Sequence, residues 1–191
     1  MSSEPENGGE LLHGGKFIEL RQTTGDRPWE FANRPNAKGV VAVLAVTDDK
    51  RVVLTEQFRP PVEKNVIELP AGLAGDIPLQ EDEPLETAAR RELKEETGYE
   101  AKSWKPLGDT PTSAGLSTEV VTFFYATGLT RVSDGGGDSS EDIKVHIVHQ
   151  SDIPKWCNDR RAEGKLIDFK IYAALYLAKS KSHETIGRLW Y

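Results

Sequence analysis

Residues 85–97 contain no glycine or proline, are rich in strong helix formers, and lie between Pro84 and Gly98. That pattern predicts a helix over residues 83–97, with proline in its first turn and glycine at its stop. At about 100° per residue, with Leu85 at zero, Ala88, Ala89, Glu92, Leu93, Glu95 and Glu96 fall within an arc of about 160°. Glu86, Thr87, Arg90, Arg91 and Lys94 fall on the other side, so that side already has its solvating charges. Three carboxylates therefore share the apolar face. They repel one another, and dehydrating them is costly unless positive charge sits among them. Hard divalent cations with oxygen ligands, Mg²⁺ or Mn²⁺, supply that charge.

Around this helix the 191 residues suffice for one compact domain with a small appendage. Hydrophobic residues make up 37% and charged residues 29%, a globular composition. Lys plus Arg number 24 and Asp plus Glu 31, so the formal charge is 24 minus 31, or -7. An acidic chain repels a phosphate polymer, which disfavours nucleic acid as a partner. Cys157 is alone, which excludes an internal disulfide and a cysteine-based zinc site and fits a reducing compartment. No apolar run is long enough to cross a membrane, and the acidic start MSSEPENGGE is no secretion signal. The expected location is the cytoplasm.

Residues 1–15 lack apolar periodicity and read as a frayed tail. From Lys16, alternation on both sides of the turn at residues 24–28 predicts a β-hairpin, taken to span 16–38. An isolated hairpin is marginal, so this one needs the main domain or a second subunit. The main domain, residues 39–191, opens with two Val-rich runs around Thr47-Asp48-Asp49-Lys50, followed by a short strand at 66–69. Residues 72–82 read as a loop, VVTFFYAT and IKVHIV as strands, and GGGDSSED between them as a flexible loop. A last helix is expected from about Phe169 to Lys179. The irregular order of strands and helices points to an α+β fold.

The run RELKEETGY at 91–99, with Glu83 eight residues before Arg91, resembles the second half of the Nudix box. That box reads Gly, any five residues, Glu, any seven, then R-E-U-x-E-E-x-G-U, with U apolar. The expected glycine position holds Ile77, so Gly72 is read as its equivalent, with five residues inserted before Glu83. Such loop insertions cost little. EQFRPP at 56–61, IELPAGL at 67–73, EDIKVH at 141–146 and Trp29-Glu30 are similar to segments of the ADP-ribose and nucleoside-diphosphate-sugar pyrophosphatase branch of Nudix hydrolases. The resemblance implies a mixed β-sheet between helices, an α/β/α sandwich, with the hairpin as an N-terminal extension.

It also implies a reaction: hydrolysis of ADP-ribose or a related nucleoside diphosphate sugar by attack of water on phosphorus. GDP-mannose and UDP-glucose stay open as substrates, and so does a non-hydrolytic nucleotide-sensing module. By resemblance Glu92, Glu95 and Glu96 hold the metal with the Ala71 carbonyl, and Glu83 orients Arg91 or a water. The expected base lies in the loop near EDI; Glu141 is our choice and Asp142 the second. Residues 135–137, all glycine, are expected to let that loop close. Arg59 suits a diphosphate through paired N–H donors. Trp29 is expected to stack on the base and Arg34 to reach substrate if the hairpin crosses to a neighbouring subunit, making the protein a homodimer.

Overall fold

A computed structural model describes residues 9–137 and 142–183. Strands β1 (Glu10–Gly14), β2 (Glu19–Gln22) and β3 (Glu30–Asn33) form a separate antiparallel sheet. Residues 10–14, expected in the frayed tail, are therefore a strand, and the hairpin is one part of a three-stranded sheet. Backbone pairing makes that strand: Glu10 is paired with Gln22 and Gly14 with Glu19, while Leu11 and Leu12 stay exposed. No burial pattern marks it in the sequence.

The main sheet contains β4 (Gly39–Val46), β5 (Arg51–Arg59), β6 (Lys64–Glu68), β7 (Ala71–Ala74), β8 (Tyr99–Pro111), β9 (Val120–Arg131), β10 (Lys144–His149) and β11 (Leu166–Ile167). Its spatial order is β11-β6-β5-β4-β9-β8, with β10 beside β5 and β7 beside β4. β4 runs parallel to β9 from Val40↔Val121 to Val46↔Thr127, which makes the sheet mixed. Helix α1 (Leu85–Thr97) covers one face; α2 (Ile153–Ala162) and α3 (Phe169–His183) cover the other.

Period-two alternation in β4 builds both cores. Val41, Val43 and Ala45 pack with Ala88, Ala89 and Leu93 of α1, while Ala42, Leu44 and Val46 pack with Ile153, Cys157 and Ile171. A strand buried on both faces reads as a continuous apolar run, which explains GVVAVLAV.

β4 and β5 follow one another as expected but pair only at Val46↔Val52 before they diverge. β7 fills the vacated edge of β4, from Gly39↔Ala74 to Ala42↔Ala71. Residues 72–74, expected in a loop, are thus strand, and the loop proper starts at Gly75. That pairing holds Ala71 and Gly72 against the helix. Among the described residues, no helix is long and apolar enough to cross a membrane.

Candidate active site

Helix α1 begins after Pro84, at its N-cap, and ends at Gly98, whose φ of 75° supplies the left-handed cap. Proline therefore stands one position earlier than a first-turn residue, and Glu83 lies just outside the helix. Glu92 and Glu96 turn inward as their phase requires. Glu95, at the edge of the arc, is half exposed. Glu96 is buried and its Oε2 accepts the Ala71 N–H at 3.1 Å. The Glu92 carboxyl lies against Gly72: a Cβ there would sit 2.1 Å from Glu92 Cδ. Only glycine allows that approach, which supports Gly72 as the box glycine.

Arg91 departs from the helical-wheel expectation of an outward, solvated charge. Its side chain is only 20% exposed and folds back over the carboxylates. Nε and Nη2 donate to Glu83 at 3.2 and 3.1 Å, Nη1 to Glu92 at 2.8 Å and to Glu95 at 3.2 Å, and Nη2 also to the Leu73 carbonyl at 2.9 Å. Asp76 stands 3.7 Å away. A long arm next to the edge of an arc can reach across it, so wheel phase misplaces arginines more readily than short side chains.

These contacts set the charges. The hydrogen bond from Arg91 outweighs burial and holds the Glu83 carboxyl below its ordinary value. Burial works against the Arg91 charge, but Glu83 and Glu92 raise its pKa above the usual arginine range. Burial pushes Glu92 up to about 7 although Arg91 opposes it. The face thus carries more negative charge than one guanidinium neutralises.

Among the described residues, no three His, Cys, Asp or Glu side chains converge as a ready-made coordination sphere. Glu92 and Glu95 are engaged by Arg91 instead. The donor chemistry nevertheless fits a hard divalent cation: carboxylate oxygens and a strand carbonyl, without sulfur or imidazole.

Arg59 lies at the end of β5 with the same parity as Val53, which packs under α1. It is therefore on the carboxylate side of the sheet. Its Nε donates to buried Glu68 at 2.7 Å. Burial raises the Glu68 pKa against the pull of Arg59. Residue-type reasoning selected Arg59 but missed Glu68, because the pairing crosses from β5 to β6; the register Thr55↔Glu68 is what puts both on one face.

Trp29 and Arg34 stand elsewhere, where the N-terminal sheet meets residues 112–120. Trp29 is 60% exposed and its Nε1 donates to the Gly115 carbonyl at 2.9 Å. A cleft of about 410 Å³ lies beside it, lined by Thr23, Phe31, Ala114 and Ser117. Arg34 pairs with Glu119 at 3.5 Å, its Nε buried and without a partner, in an adjoining cleft of about 420 Å³ with Ile18, Asn33 and Lys38. Glu141 lies outside the described residues, with 138–140. Asp142 is exposed. Residues 135–137, expected to let that loop close, are docked on the end of α1.

The NUDIX domain profile matches residues 36–167, more than half of the chain. The chain belongs to the Nudix family of hydrolases. Its relatives include a methanol dehydrogenase activator of Bacillus methanolicus, 38% identical over 73% of this chain and 74% of that one. An ADP-ribose pyrophosphatase of Bacillus subtilis is 35% identical over 88% and 89%. A crystal structure of an ADP compounds hydrolase superposes with a TM-score of 0.66 over 98% of this chain and 100% of that chain, at 18% identity. That likeness establishes the fold, including the appended N-terminal sheet.

Proposed function

We propose that this Nudix protein is a Mg²⁺-dependent pyrophosphatase that hydrolyses ADP-ribose or a related nucleoside diphosphate sugar to a nucleoside monophosphate and a sugar phosphate. The carrying observation is the carboxylate face of α1, with Glu92 against Gly72 and Glu96 at Ala71, clamped by Arg91. The similarity to the Bacillus subtilis ADP-ribose pyrophosphatase along nearly the whole chain supports the substrate class.

In this reading Glu92, Glu95, Glu96 and the Ala71 carbonyl hold the cation. Bound there, a divalent ion lowers the pKa of its water and neutralises charge on the attacked and leaving oxygens. Mn²⁺ substitutes for Mg²⁺ by the same oxygen-donor chemistry. Glu83 and the Arg91 guanidinium hold the carboxylates in place, Arg59 binds the diphosphate with Glu68 fixing its plane, and Glu141 takes the proton of the attacking water. The Trp29 face and Arg34 receive the base and sugar. The half-exposed Trp29 ring and the clefts beside it support that assignment.

A homodimer fits the same picture. Leu11, Leu12, Phe17, Ile18 and Leu20 of the N-terminal segment are each exposed, and a partner subunit packed there would take apolar side chains out of water. A lone buried thiol, Cys157, supports a reducing, cytoplasmic location.

The test is phosphate release from nucleotide sugars, with a phosphatase added to reveal monoester products, with and without Mg²⁺. Turnover of ADP-ribose that disappears on chelation, and in Glu96→Gln, supports the reading. Metal-independent turnover, or retained turnover in Glu96→Gln, overturns it.

A further inference from the structure

The last carbonyls of any α-helix lack partners within the helix, and such an end frays unless something caps it. In α1 the last turn carries Glu95 and Glu96. Beyond the Gly98 cap, two of its remaining carbonyls are met by a distant part of the chain. The Gly136 N–H donates to the Glu96 carbonyl at 2.8 Å and the Gly137 N–H to the Glu95 carbonyl at 3.1 Å. Just upstream, Val132 and Ser133 donate to the Gly98 carbonyl at 2.8 and 3.3 Å, and the Ile143 N–H returns to the Gly136 carbonyl at 3.2 Å.

The approach is close enough to exclude side chains. Gly135, Gly136 and Gly137 have φ of 69°, 108° and 83°, all in the left-handed region. A Cβ on Gly135 would lie 2.4 Å from the Thr97 carbonyl carbon and 2.8 Å from the Glu96 oxygen. A Cβ on Gly98 would lie 2.1 Å from the Ser133 oxygen. Backbone meets backbone on both sides.

We propose that the glycine strap at 135–137 is a positioning element of the metal site: by capping the Glu95 and Glu96 peptides it holds their carboxylates in register with Glu92 and Ala71. The inference rests on the metal reading above. Glu92 sits one turn deeper in α1, where helix hydrogen bonds fix it, so loosening the last turn changes the separation between Glu92 and the other two acids. A small cation tolerates little change in its oxygen ligands. Coupling is reciprocal: whatever steadies the carboxylates also steadies the strap.

The decisive comparison uses the full-length protein with Gly135→Ala and Gly164→Ala. Gly164 also has a left-handed φ, 85°, but nothing lies within 4 Å of an added Cβ, so it carries the backbone strain without the collision. In Gly135→Ala the dissociation constant for Mg²⁺, measured by calorimetry without substrate, rises about tenfold, as for other residues that orient ligands from behind. Gly164→Ala, which carries the strain alone, keeps the wild-type value at a smaller loss of Tm. An independent measurement needs no variant: in the wild-type protein, Mg²⁺ alone slows hydrogen exchange at the Gly136 and Gly137 amides. Wild-type Mg²⁺ affinity in a folded Gly135→Ala, or amides that ignore bound Mg²⁺, overturns the proposal and leaves the metal site standing. A wild-type protein that binds no Mg²⁺ overturns the metal reading and this inference with it.

Discussion

The Arg91 guanidinium donates to Glu83, Glu92, Glu95 and the Leu73 carbonyl, so removing it strands several acceptors at once. Arg91→Ala leaves Glu83 and Glu92 in a mostly buried place without their cation, and a buried pair broken on one side costs about 3–5 kcal/mol. Arg91→Lys recovers only part of this, because an ammonium has no planar fork to span four acceptors. Urea unfolding of the two variants checks both statements, and a stability loss in Arg91→Ala below about 1 kcal/mol would show the acids to be satisfied by water. Gly72→Ala acts on activity instead. Its Cβ would collide with the Glu92 carboxyl, and a displacement of that size lowers kcat about a hundredfold with the fold intact. Steady-state kinetics beside a circular dichroism spectrum separates those effects. Such residues were legible to different degrees. The shared face of Glu92, Glu95 and Glu96 follows from spacing, because helix phase is local, whereas the Glu83 to Arg91 pairing came only from the resemblance, since phase alone turns Arg91 outward. Glu68 beneath Arg59 and the strap at 135–137 depend on contacts between distant segments, which no local period encodes.

Between elements, a second polar junction lies on the face opposite α1. Buried Glu56 of β5 accepts from Asn65 of β6 at 3.0 Å, from His146 of β10 at 2.8 Å and from Lys165, just before β11, at 2.8 Å. Burial opposes its charge, but the hydrogen bonds from Lys165, His146 and Asn65 prevail and lower its pKa to about 2. A carboxylate whose pKa is depressed on folding contributes stability above its unfolded value near 4.5, and the contribution is lost as pH falls towards 2. His146, held below its ordinary value by burial, has the same sign: the folded state resists its protonation as pH drops below about 6.5. The stability gap between wild type and Glu56→Gln should therefore shrink between pH 5 and pH 2 in urea titrations; a constant gap would mean the carboxylate is not charged in this junction. Elements with a clean local pattern were readable: α1, β9, β10 and α3 lie where composition puts them. β8 is an edge strand with Lys102, Lys105, Pro106 and a bulge at Gly108, and it becomes a strand through its long pairing with β9. β1 and β7 likewise exist because a neighbour offers an edge.

At the scale of the whole molecule, the three-stranded N-terminal sheet and the main sheet share little core, yet the proposed substrate contacts are divided between them. Trp29 and Arg34 are on the first, and Arg59 and the carboxylates on the second. Among the described residues, the Trp29 and Arg34 side chains reach Gly115 and Glu119 rather than the α1 face. A second copy that lends its N-terminal sheet would bring the two halves together and cover Leu11, Leu12, Phe17 and Ile18. Mixing experiments discriminate that arrangement from a self-contained subunit. Trp29→Ala and Glu96→Gln are each expected to be nearly inactive. If each active site combines the sheet of one subunit with the carboxylates of the other, unfolding and refolding an equal mixture makes half the dimers mixed, and every mixed dimer holds one intact site. Activity then returns to about a quarter of wild type. If each subunit builds its own site, every site keeps one defect and the mixture stays inactive. Sedimentation of Phe17→Glu gives the complementary readout, because a charge placed on an exposed apolar residue of the proposed interface shifts a dimer towards monomer but leaves a protein that is already monomeric unchanged.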